Sequence, residues 1–175
     1  MSGTGVETIV LIGPPGAGKS TVGHLLAQRL GIGFTDTDQA IEERVGRTIA
    51  EIFVDDGEPA FREIEERVVL EALQNASGVI SLGGGSILSE PVRIHLRSRP
   101  DSMRVVFLDV SISHAAPRVG FNRERPLLLV NPRAQWQELM NRRRPFYLEL
   151  ADHVLDTNDL SPVDIAEQIV TLVSA

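Results

Sequence analysis

Apolar residues fall along this chain in two alternating rhythms. The runs Ile9-Val10-Leu11-Ile12 and Val79-Ile80-Ser81-Leu82 have the short, continuous, β-branched character of strands covered on both faces. Residues 104–110 read as a further strand, Gly33-Phe34-Thr35 as a short one and His153-Val154-Leu155 as a weak one. Between them the spacing becomes helical. Over 21–30 the apolar positions are Val22, Leu25, Leu26 and Leu30; over 57–74 they are Phe61, Ile64, Val68 and Ala72, one face of a long helix. Helix starts are legible too. Thr48-Ile49-Ala50-Glu51 is a capping box, and Asn131-Pro132 and Ser161-Pro162 each set an N-cap residue before a proline at the first helical position. Strands alternating with helices predict an α/β protein with a parallel sheet covered on both faces. The segment 119–131, with arginines, a glycine, a proline and the run Leu127-Leu128-Leu129-Val130, suits neither rhythm and reads as a mobile flap. No linker or repeat interrupts the chain, so one domain over 1–175 is expected, with a lid at about 119–131.

Composition narrows the class. A chain of 175 residues, 42% hydrophobic, can bury a sizeable core. It has no cysteine, which excludes disulfides and thiolate metal sites. No apolar run approaches membrane-spanning length and no leader pattern precedes the first strand, so a soluble cytoplasmic protein without membrane contact is expected. The net charge of −7 argues against a nucleic-acid surface. It also requires any anionic ligand to be held by a local basic island. The four histidines are scattered without metal-ligand spacing.

The first chemistry lies after the first strand. Gly13-Pro14-Pro15-Gly16-Ala17-Gly18-Lys19-Ser20 matches the phosphate-binding loop G-x-x-x-x-G-K-[ST] at every fixed position, between a strand and a helix. Lys19 is the only lysine; every other cationic side chain is arginine. A compact ammonium on a flexible stem can follow a phosphoryl group, whereas the guanidinium fork is planar and wider. Gly16, Ala17, Gly18, Lys19, Ser20 and Thr21 are candidates to hold nucleotide phosphates through backbone N–H groups and the helix dipole. The Ser20 hydroxyl is a candidate Mg²⁺ ligand. A chance glycine-rich turn is the bland alternative.

A second series follows: Asp36-Thr37-Asp38 at the carboxyl end of the second strand, Phe61-Arg62-Glu63-Ile64-Glu65, Gly83-Gly84-Gly85, Arg125-Pro126-Leu127-Leu128 and Arg143-Arg144-Pro145-Phe146-Tyr147. In this order and spacing, over nearly the whole chain, the motifs resemble shikimate kinase, a small enzyme of aromatic biosynthesis. The resemblance implies a P-loop α/β/α fold with five parallel strands in order 2-3-1-4-5, as in the nucleoside monophosphate kinase group. It implies ATP as co-substrate, Mg²⁺, and phosphorylation of the 3-hydroxyl of shikimate by a monomer.

The resemblance also implies residue roles. Arg62 and Arg143 would grip the substrate carboxylate, for which a two-pronged donor is suited. Helical ion pairing of Arg62 with Glu65 or Glu66 is the alternative, and Arg142 or Arg144 could exchange roles with Arg143. Asp38 would bind substrate hydroxyls and accept the reacting proton, or simply cap the helix that follows. Asp36 would hold Mg²⁺ with Ser20, or serve structure alone. Gly83, Gly84 and Gly85 would admit close approach and offer N–H groups. Arg118 would contact nucleotide and Arg125 the transferring phosphate; together with Lys19 and Asp38, Arg125 completes the expected catalytic set. Phe53, Phe61 and Ile49 are expected to floor the acceptor pocket, and Trp136 and Tyr147 to be packing residues. Adenine contact near Asp159-Leu160 would be apolar and through backbone. The rival readings are a kinase for another small hydroxy acid such as gluconate, a nucleoside monophosphate kinase, or a nucleotide-binding module without catalysis.

Overall fold

Every residue of β1 (Thr8–Ile12) is buried, which is what a run of aliphatic side chains with no polar alternation demands. It lies at the centre of the sheet in a computed structural model that describes residues 5–75, 77–119 (for Val119, backbone only) and 131–175. The other strands are β2 (Phe34–Asp36), β3 (Gly78–Ser81), β4 (Met103–Asp109) and β5 (His153–Asp156). All pairings are parallel, in order β2-β3-β1-β4-β5, as the resemblance implied. Each predicted strand is present, with ends shifted by no more than one residue.

Register decides where chemistry collects. Asp36 pairs with Ser81, and Ser81 pairs with Leu11. The loops leaving β1, β2 and β3 therefore emerge side by side at the carboxyl edge, where open α/β sheets take ligands.

Eight α-helices are described: α1 (Lys19–Leu30), α2 (Thr37–Val45), α3 (Ile49–Asp56), α4 (Glu58–Gln74), α5 (Glu90–Arg97), α6 (Ile112–Val119), α7 (Pro132–Leu150) and α8 (Pro162–Ser174), with a short 3-10 turn at Ser86–Leu88. α1 packs with α8, and α7 lies against β4 with α5 beside it. None of the described helices is long and apolar enough to cross a membrane. Capping boxes at Thr48 and Ser161 are formed as expected. Asn131 is a correction: its backbone is left-handed, at φ 47°, and its side chain makes no cap bond, although Pro132 does open α7. An N-cap normally has extended backbone, which aims its oxygen at the first-turn amides.

The sheet core is largely aliphatic, with Phe107, Trp136 and Tyr147 buried in it. A second, smaller cluster of Ile41, Ile52, Phe61 and Val68 ties α2, α3 and α4 together, with Ile49 and Phe53 packed against it. The Phe53 and Phe61 rings lie 4.7 Å apart within that cluster. Ile49, Phe53 and Phe61 thus hold α4, the helix bearing Arg62; like Arg62 itself, they lie outside the walls of the cleft described next.

Candidate functional site

A cleft of about 530 Å³ opens at the carboxyl edge of the sheet. Its walls come from residues 15–22, Asp36 and Asp38, residues 81–83, Arg118, and Leu160, Pro162 and Ile165.

The phosphate loop is oriented by its carbonyls. Gly13 and Pro14 present theirs to Lys19 Nζ, at 2.8 and 3.1 Å. Trp136 Nε1 donates to the Pro15 carbonyl at 3.1 Å, and Arg118 Nη1 to the Gly16 carbonyl at 3.2 Å. Gly13, Gly16 and Gly18 all take positive φ, which glycine adopts without steric cost. At Gly13 there is a second reason: a Cβ would stand 2.5 Å from the Leu108 carbonyl oxygen. Behind the loop, the first amides of α1 have no helical acceptor. They form, with Lys19, the positive end expected for an anion.

Ser20 Oγ donates to Asp36 Oδ2. The other oxygen of Asp36 accepts from the Gln39 amide at 3.2 Å as the N-cap of α2. The capping role considered for Asp38 thus belongs to Asp36, and Asp38 sits in the first turn, lining the cleft. One hydroxyl and one carboxylate are a sparse set of hard oxygen donors. That suits Mg²⁺, which keeps several waters and takes substrate phosphates as ligands. Among the described residues there is no group of three or more His, Cys, Asp or Glu that would make a protein-only cage.

Gly83, Gly84 and Gly85 join the acceptor residues to this loop. None has positive φ; what they supply is space. A Cβ on Gly83 would lie 2.6 Å from Asp38 Oδ1 and 3.0 Å from Glu65 Oε2. On Gly84 it would meet Pro15 Cδ at 3.2 Å, the Gly13 carbonyl oxygen at 3.3 Å and Arg143 Nη1 at 3.4 Å. On Gly85 it would collide with the Arg62 guanidinium, whose Cζ is 2.7 Å away. Asp38, Arg62 and Arg143 therefore converge on one glycine turn that itself abuts the phosphate loop. The Gly83 N–H differs from expectation: it is held by Thr37 Oγ1 at 3.2 Å rather than offered to a ligand.

The ambiguity among three neighbouring arginines is resolved by burial. Arg143 is 3% exposed and faces the glycine turn, while Arg142 and Arg144 are exposed. Arg144 pairs with Asp109 at 2.6 Å, a hydrogen bond that raises the guanidinium pKa further. Arg62 does make the helical pair considered for it, with Glu65 at 2.7 Å, and a longer one with Glu58 at 3.4 Å. Glu65 is buried, so this pair holds the Arg62 head beside Gly85.

Leu160, Pro162 and Ile165 give the cleft an apolar wall. Arg125 and the lid expected at 119–131 fall outside the described residues, apart from Asn131 and the backbone of Val119. Sequence reasoning passed over three groups. Thr37, fully buried, links the two strand ends through its hydroxyl, donating to the Ser81 carbonyl at 3.3 Å and accepting from Gly83. Trp136 and Tyr147, read as packing, also bond the two glycine loops: Tyr147 Oη donates to the Gly84 carbonyl at 2.5 Å. The only sequence signal for the pair was their shared position on one helix face.

Comparison with known proteins points the same way as this geometry. The family model described as shikimate kinase matches residues 15–174. A shikimate kinase of Thermobifida fusca (strain YX) is 51% identical over 160 residues, 91% of each chain. One of Streptomyces avermitilis is 49% identical over 164 residues, 94% of each chain. Among solved structures, shikimate kinase from Acinetobacter baumannii in complex with shikimate superposes with a TM-score of 0.90 at 38% identity, covering 96% of this chain and 93% of that one.

Proposed function

This chain belongs to the shikimate kinase family, and we propose that it transfers the γ-phosphoryl group of ATP to the 3-hydroxyl of shikimate, through the residues that converge on Gly83, Gly84 and Gly85. That convergence is the observation carrying the reading. It sets a carboxylate, Asp38, and two guanidinium groups, Arg62 and Arg143, against a turn in contact with the phosphate loop.

The amides of residues 16–21 and Lys19 bind the polyphosphate, with Arg118 at the nucleotide's side of the cleft. Arg62 and Arg143 bind the shikimate carboxylate and so fix the ring. Asp38 receives the hydroxyl proton as the new O–P bond forms and the bond from the γ-phosphorus to the ADP oxygen breaks. Ser20 and Asp36 would hold Mg²⁺, which would neutralise the negative charge developing on the phosphates. Arg125 is assigned to the transferring phosphate on its motif alone. We also propose a single domain with a lid over 119–131, a monomeric state and a cytoplasmic location.

The test is ADP release measured with shikimate, quinate, gluconate and several nucleoside monophosphates as acceptors. Release with shikimate well above all others is expected. Release with gluconate alone would defeat the substrate assignment, and release with none would favour a module that binds nucleotide without catalysis.

A further inference from the structure

One helix touches both halves of the reaction centre with side chains from one face. The buried residues of α7 are Trp136, Met140, Arg143, Tyr147 and Leu150. Their alternating steps of four and three keep them on one side of a helix. Trp136 reaches the phosphate loop and Tyr147 the acceptor turn. Eleven residues separate them, about 16 Å along the axis at 1.5 Å per residue.

What each bond controls follows from peptide geometry. Carbonyl and N–H point in opposite directions across a planar trans peptide. Holding the Pro15 carbonyl therefore aims the Gly16 N–H, and Gly16 lines the cleft. Holding the Gly84 carbonyl likewise aims the Gly85 N–H, beside the Arg62 head. The phosphate loop needs such help. Pro14 and Pro15 have no amide hydrogen, so their stretch cannot be fixed by its own donors. Lys19 holds the carbonyls of Gly13 and Pro14, and Trp136 holds the next one.

We propose that Trp136 and Tyr147 are positioning residues, Trp136 for nucleotide and Tyr147 for shikimate. Each fixes one peptide plane, and the helix between them sets the spacing of the two loops. The inference rests on the assignment of the two loops to those two substrates.

The test uses Trp136→Phe and Tyr147→Phe, each of which keeps a ring and removes one donor. Dissociation constants for ADP with Mg²⁺ and for shikimate are measured separately by calorimetry, with melting temperatures alongside. Trp136→Phe is expected to weaken ADP by about two- to tenfold, the range for one net hydrogen bond, and to leave shikimate within twofold. Tyr147→Phe is expected to do the reverse. Equal weakening of both ligands by either variant, or a lower melting temperature with unchanged affinities, would overturn the proposal and leave the two rings as packing. If Trp136→Phe fails to fold, the native protein decides its arm. Trp136 is the only tryptophan, so saturating ADP should change the emission of the intact protein, and an unchanged spectrum overturns that arm. A native protein that binds ADP but not shikimate would sink the substrate assignment instead; the Trp136 arm is still decided by ADP alone.

Discussion

Lys19 and Arg62 carry two of the charges on which the proposed transfer depends, and a single substitution tests each. The lysine was identifiable from its motif, because few arrangements put an ammonium between a glycine turn and a helix start. Its two bonds to loop carbonyls could not be read, since they depend on how the loop closes. On the role proposed for it, Lys19→Met removes a charge that serves the transferring group; turnover should fall at least about a hundredfold, as for loss of one transition-state donor, with the melting temperature little changed. Unaltered turnover would end its assigned role. For Arg62, the sequence allowed either an ion pair or a ligand contact, and the structure has the pair with Glu65 beside a glycine that leaves the guanidinium room. Arg62→Ala should raise the shikimate KM about tenfold or more, the range for charged hydrogen bonds, and leave that of ATP nearly unchanged. Gly85→Ala should reproduce part of this effect, because its methyl group displaces the same guanidinium. Steady-state kinetics with each substrate varied in turn checks both; equal effects on the two KM values would contradict the carboxylate assignment.

At the scale of elements, periodicity located every described strand and the helices α1 and α4, because burial on one or two faces is written directly into side-chain spacing, while capping signals marked the starts of α3, α7 and α8. Where reading failed, the deciding contact was remote. Asn131 looks like a cap, yet its left-handed backbone prevents it; Asp38 looks like a cap, yet Asp36 takes that place. The β4–β5 join is likewise invisible in the sequence. Asp152 accepts from Arg99 at 2.6 Å and from the Val105 amide at 2.8 Å, while its own amide donates to the Val105 carbonyl at 2.8 Å. Burial pushes its carboxyl up, but the Arg99 bond, the Val105 amide and the charges of Arg99 and Arg104 together outweigh this, holding it below the usual carboxylate range. The sign follows. With the folded value depressed, the stabilisation is complete above about pH 4, the unfolded value, and drains away as pH falls towards the folded one. Asp152→Asn should therefore cost about 1–2 kcal/mol at pH 7. The gap in melting temperature from the native protein should shrink between pH 5 and pH 3; a gap independent of pH would show that the charge is not what matters.

For the whole molecule, hydrophobic rhythm predicted a parallel sheet but not its strand order. That order came from the resemblance, since alternation alone is compatible with several crossovers. The order has a functional effect: it sets β1, β2 and β3 adjacent, so that loops more than twenty residues apart in the chain meet at one edge. It also lets a chain of net charge −7 gather Lys19 and Arg118 in the cleft walls, with Asp36 and Asp38, and Arg62 and Arg143 at the adjoining glycine turn, with Glu65. The single lysine has one more consequence, for labelling. A mild acylating reagent finds only two kinds of target here, the chain terminus and the Lys19 amine within the cleft. Adduct at Lys19, weighed by peptide mass, should drop sharply when ATP is present and hardly at all with shikimate alone; equal adduct under both conditions would mean that this amine is not where the triphosphate sits.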